Sequence, residues 1–231
     1  MKKQLLKSAL IAVAGVGLLA GSALALPTLP AFGNYNWTNA DYFSLTDFTT
    51  SNSDVVTISI NASYGADFGF YTVDNINNPT AVTNQLKIVD KTDPAGTLYT
   101  HSVTFNKVLS GWEAKVDNGA YQTFNTTFGF YYNIYTGGTS SSTIDYTWYT
   151  DKKFNYPSSD NTIEHLLVAY IYDQHAAVVY LDDQLGGGDQ DFNDKTIRVN
   201  DVAPVPEPAT MLLFGTGIAG LAGMARRRKT N

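Results

Sequence analysis

Between residues 56 and 199 apolar and polar side chains alternate in short runs, and no stretch keeps a convincing period near 3.6. Val56, Ile58 and Ile60 alternate with Thr57 and Ser59, Val103 and Phe105 with Ser102 and Thr104, and Ile144, Tyr146 and Trp148 with Asp145 and Thr147; Leu86 and Ile88 flank Lys87. Such alternation gives a strand one buried face and one wet face. Segments 165–173, 177–183 and 195–199 read as further strands, the first apolar enough to lie inside the fold. Asp117-Asn118-Gly119 sits between two such runs and predicts a hairpin, because Asn and Gly accept the left-handed backbone of a tight turn. The expected body, residues 26–203, is therefore all-β: a β-sandwich or jelly-roll-like domain of antiparallel strands. Composition agrees, with 15 Tyr, 12 Phe and 19 Gly against only 16% charged residues.

Both ends differ from the body. Residues 1–25 run from Lys2, Lys3 and Lys7 through an apolar stretch to Ala23-Leu24-Ala25, the small-x-small pattern of a signal peptidase site, and read as a cleaved export signal. At the other end, prolines at 204, 206 and 208 break the chain, an apolar stretch covers 209–225, and Arg226, Arg227, Arg228 and Lys229 follow. The apolar stretch is at the short limit for a span, and the basic cluster would stay cytoplasmic. The physical reading is a transient C-terminal transmembrane anchor with the body outside.

Breaker, apolar helix and basic stop, in that order over 204–231, resemble the tail of PEP-CTERM proteins. The resemblance implies export in a Gram-negative bacterium, processing by an exosortase that recognises Pro206, Glu207 and Pro208, and delivery to the cell surface or exopolysaccharide matrix. It makes the chain the substrate of that enzyme.

Without its ends the body carries eight basic and twenty acidic residues, a balance of −12. That opposes nucleic-acid or anionic-membrane binding, leaves membrane contact to the tail alone, and is compatible with cation binding. There is no Cys, so no crosslink supplements the core. A chain of this length can still bury close to 70% of its unfolded surface.

The densest chemistry lies in Leu181–Asp194. Asp182, Asp183, Asp189, Asp191, Asn193 and Asp194 could all supply oxygens, and Gly186 to Gly188 let the backbone fold tightly around whatever they face. Packed carboxylates repel; hard oxygen ligands at alternating positions favour calcium. Asp189, Asp191 and Asn193 match the opening of a calcium loop, but Asp194 and Asn200 stand where the helix-loop-helix version needs Gly and Glu. The expectation is a strand-mounted calcium loop. The competing reading is a turn-rich loop whose side chains cap backbone amides.

This segment, with Phe128 to Tyr131 and residues 161–170, resembles the domain of unknown function 4114 over roughly 124–201. There a strand ending in two acidic residues, here Asp182 and Asp183, leads through glycines into an Asp-x-Asp-[Phe/Tyr]-Asn-Asp signature, here Asp189 to Asp194. Leu181 departs from the usual Phe-Glu-Asp strand end, and Lys195-Thr196 is more polar than the usual last strand. The resemblance implies a surface or matrix module with a calcium site, and brings no reaction. His165 matches that family's His and reads as a hydrogen-bonded structural residue.

The leading expectation is thus an exported, non-catalytic surface or matrix protein. A calcium-dependent polysaccharide-binding module is the alternative, with Trp112, Tyr146 and Trp148 as glycan contacts if they lie on the wet face. A glycan hydrolase stands behind both: Glu113 and Glu164 are the body's two Glu residues, and there is neither a Gly-x-Ser-x-Gly elbow nor a catalytic Cys. Finally, Phe-Gly-Phe-Tyr occurs at 68–71 and again at 128–131, either as equivalent positions in two sheets or as an accident of composition.

Overall fold

The computed structural model describes residues 35–46, 52–60, 64–94 and 100–206. The expected export signal, the apolar segment 209–225, the basic end, Glu207 and Pro208 lie outside these. Regular structure among the described residues is almost entirely strand: β1 (Tyr35–Thr38), β2 (Phe43–Leu45), β3 (Asn52–Ile60), β4 (Gly65–Val73), β5 (Val82–Val89), β6 (Thr100–Val108), β7 (Gly111–Val116), β8 (Gln122–Thr123), β9 (Thr127–Tyr135), β10 (Tyr146–Tyr149), β11 (Leu166–Ile171), β12 (Ala176–Leu181), β13 (Lys195–Val199) and β14 (Val202–Pro204). Short 3-10 turns at Lys152–Phe154, Ser158–Asp160, Tyr172–Gln174 and Leu185–Gly187 complete the elements. No helix of the described residues is long and apolar enough to cross a membrane.

The strands form two antiparallel sheets. The larger has the order β1-β11-β12-β13-β3-β6-β7-β8, and the smaller β14-β2-β9-β4-β5 with β10 also paired to β9. One core cluster draws on both: Val103, Phe105, Val168, Val179 and Ile197 from the larger, Phe43, Phe68, Phe70, Phe128, Phe130 and Trp148 from the smaller. Phe105 stacks on Phe128 across the two sheets at 5.8 Å, and Phe70 on Phe128 at 4.2 Å. Fully burying such a ring contributes about 1.5–3 kcal/mol, so these phenylalanines hold a domain that has no disulfide.

The repeated Phe-Gly-Phe-Tyr falls in neighbouring strands of one sheet, not in equivalent positions of two. β4 and β9 pair antiparallel with Phe70 opposite Phe130, Gly69 opposite Tyr131 and Tyr71 opposite Gly129. The phenylalanines point into the core; the tyrosines point outward, where Tyr42, Tyr71 and Tyr131 form a second cluster with Tyr149, Phe154 and Val205 packed on it. The chain after β10 folds back to help cover this face, bridging Thr147 to Tyr156. The expected hairpin joins β7 to β8, with Asp117 in the left-handed conformation at φ 50°. Its carboxylate accepts from the Ser102 amide at 2.8 Å.

Candidate functional site

The acidic loop leaves β12 and returns into β13. Asp182 N donates to His165 O at 3.0 Å and Asp194 N to Leu181 O at 3.1 Å, so the two ladders extend into its base. Asp182 and Asp183 are completely buried. The Asp182 carboxylate accepts from the amides of Gln184 (3.2 Å) and Gln190 (3.0 Å). The chain reaches this arrangement through Gly186, Gly187 and Gly188 at φ 74°, 80° and 42°; a Cβ on Gly188 would stand 2.6 Å from Asp182 Oδ1. Phe192, 1% exposed and at φ 52°, anchors the far side in an apolar cluster with Ile171, Val178 and Tyr180 on the outer face of the larger sheet.

Asp183 and Asp194 are the carboxyls this loop brings together. Asp194 Oδ2 accepts from Asp183 N at 2.8 Å, and Asp183 Oδ2 from Tyr64 N at 3.2 Å. Asp183 Oδ1 is buried with no hydrogen-bond partner. Burial, then the charge of Asp194, push Asp183 up to about 7. Burial likewise raises Asp182 and Asp194, while backbone amides pull them back. Asp191 is turned to Asn193, accepting from its backbone amide at 3.1 Å and from its side-chain amide. Asp189 is exposed.

The six expected ligands are thus divided: a pair in which Asp183 is buried and Asp194 half-buried, one carboxylate committed to amides, and three side chains at the rim. Among the described residues no three His, Cys, Asp or Glu side chains form a group able to hold a metal ion. Calcium takes roughly six to eight oxygens; the protein side chains gathered here amount to Asp183 and Asp194.

Asp160, to which the sequence drew no attention, braces the loop from outside. Its Oδ2 accepts from Gly186 N at 2.7 Å and meets His165 Nε2 at 3.1 Å. The His165 ring lies flat on Trp148, 3.8 Å between centroids and 5° between planes, and burial lowers its pKa. At the strand entrance His165 is buried and held by Asp160, with its Nδ1 buried and without a hydrogen-bond partner.

That stack removes Trp148 from the expected glycan contacts. Trp148 is 0% exposed in the core, sandwiched between His165 and Tyr146, whose ring lies 5.4 Å away. Tyr146 and Trp112 are half-buried and packed against the same core. The Trp148 face serves the interior, where aromatic rings supply much of the apolar mass.

A cleft of about 560 Å³ lies elsewhere, between residues 38–41, 150–153 and 161–168. Asp151 accepts from Tyr42 Oη at 2.9 Å and pairs with Lys153 at 2.8 Å. Glu164 pairs with Lys152 at 3.3 Å, and burial raises its pKa. Lys152-Lys153 is the one adjacent basic pair in residues 26–203, a signal that was available; the 38–41 segment it meets lies more than a hundred residues away in sequence.

The domain ends beside this cleft. β14 pairs with β2, and Val205 N donates to Tyr42 O at 2.9 Å before the chain reaches exposed Pro206. Residues 204–229 match the PEP-CTERM protein-sorting motif. The PEP-CTERM motif implies an exported protein, transiently anchored in the membrane and processed by an exosortase. It begins at Pro204, the last residue of β14, and does not reach 124–201, so the likeness of that region to the domain of unknown function 4114 gains nothing from it. Comparison with curated proteins and with solved structures finds no match.

Proposed function

We propose that this chain is an exosortase-processed structural component of the cell surface or exopolysaccharide matrix, a non-catalytic β-sandwich carried out by an N-terminal signal and held by its C-terminal apolar segment until processing. The observation that carries the reading is the junction at Pro204: the sorting motif starts where the last paired strand stops, so processing can release a domain whose strands are all formed. Expression of the full chain in a Gram-negative host with and without its exosortase tests it. The shorter, released form should depend on the enzyme and disappear with Glu207→Ala; enzyme-independent release would reject it.

A second reading adds a divalent ion, and the unpartnered buried Oδ1 of Asp183 favours it. Calcium would be held by Asp183 and Asp194, with waters filling the remaining positions. An ion that binds only the folded state stabilises it by about 2.7 kcal/mol at a hundredfold excess over its dissociation constant. Calcium should therefore raise the Tm of the wild type and leave Asp183→Asn unmoved; equal melting of the wild type in millimolar calcium and EDTA would remove the ion.

A further inference from the structure

We propose that the cleft between β1, β11 and the 150–164 segment binds neutral, hydroxyl-rich carbohydrate. This rests on reading the protein as a matrix component, and gives that component a place to grip its polymer. The cleft's size falls within the roughly 300–1,000 Å³ of small-molecule sites.

Its chemistry selects the ligand class. Sugar hydroxyls donate and accept at once, so a saccharide site needs both partners along one wall. Here Lys152, Lys153 and the amides of Asn39 and Asn161 can donate, while Glu164, Asp151 and the same amides can accept. Of the β11 residues in the lining, Leu166 and Val168 are committed to the core, and half-buried Leu167 is the one that can offer apolar surface to the C–H face of a ring. The lysines stand 46% and 43% exposed at the rim, each already paired with a carboxylate. No positive charge is left in excess for a phosphate, a sulfate or a polyuronate, and the body's balance of −12 repels polyanions further.

The walls are also held in place before any ligand arrives. Tyr42 Oη and Lys153 both bind Asp151, and Thr150 Oγ1 donates to Asp41 O at 2.6 Å. Ordering the site on binding therefore costs little, which is the condition under which scattered hydroxyl contacts give measurable affinity.

The test uses the processed protein with neutral gluco- and manno-oligosaccharides, oligogalacturonate as the polyanion, and an unstructured peptide, followed by calorimetry. A neutral oligosaccharide should bind, with affinity falling at least tenfold in both Asn161→Ala and Glu164→Gln at unchanged Tm, and unaltered in Glu113→Gln. Binding of no neutral sugar, preference for the polyanion or the peptide, or undiminished binding by the two variants would overturn the proposal. If exosortase-dependent release holds while sugar binding fails, the cleft assignment falls alone; if release fails, the matrix reading falls first.

Discussion

The ring of Tyr71 occupies the space that a side chain on Gly129 would need. A Cβ there would stand 2.5 Å from Tyr71 Cζ, and on the neighbouring strand a Cβ on Gly69 would stand 2.7 Å from Tyr131 Cε1. The two glycine–tyrosine pairs are reciprocal about Phe70 and Phe130. Each tyrosine covers backbone that the opposite glycine leaves bare, the device by which aromatic rings compensate for glycine in a sheet.

Gly129→Ala should therefore lower stability by about 1–3 kcal/mol, the range for overpacking a filled site. Tyr71→Ala in the same chain should recover part of that loss. Denaturant unfolding of the two single variants and the double variant measures the coupling; strictly additive losses would contradict the packing described.

Asp183 sets a pH dependence whose sign is opposite to that of an ordinary paired carboxylate. In the unfolded chain it ionises near 3.8 and in the fold at about 7. Between those values the folded state keeps a proton the unfolded state has lost, so stability from this group falls as pH rises through the window, by at most roughly 1.4 kcal/mol per pH unit. Below pH of about 4 it imposes no penalty. In chelator-containing buffer the Tm advantage of Asp183→Asn over the wild type should widen from pH 5 to pH 8. A constant difference across that range would show that Asp183 is not held as described.

Trp148→Ala should cost about 3–5 kcal/mol, the usual price of removing a large aromatic from a core, because the ring is fully buried against His165 and Tyr146. Any accompanying loss of ligand binding would follow from unfolding. A variant that melted like the wild type would place the indole at the surface after all.

Asp160→Ala removes the acceptor for Gly186 N and the partner of His165. A buried group left unpaired costs about 1–3 kcal/mol. Limited proteolysis should show faster cutting between Gln184 and Gln190 in this variant, and unchanged cutting would separate the loop from Asp160.

Strands were legible wherever apolar residues alternated, as in Val103 and Phe105, because one pleat face meets the other sheet. The Phe-Gly-Phe-Tyr repeat signalled aromatic packing against glycine but not its location, since nothing local says which strands become neighbours. The acidic loop was legible as a tight, glycine-dependent turn. Its spacing did not reveal that the left-handed glycines bring the amides of Gln184 and Gln190 onto Asp182, which withdraws that carboxylate from any shared site. Of the cleft the sequence showed only the Lys152-Lys153 pair, because the 38–41 segment meets Lys152 and Glu164 only after the fold has assembled.

The position of β14 links the start of the sorting motif to the edge of the smaller sheet. Val202 to Pro204 lie along β2 as an outermost strand, so a cut beyond Pro204 leaves β2 sheathed, whereas trimming back past Val202 would bare its amides and carbonyls to a neighbouring molecule. A cut beyond Pro204 therefore keeps this side of β2 hydrogen-bonded within its own sheet.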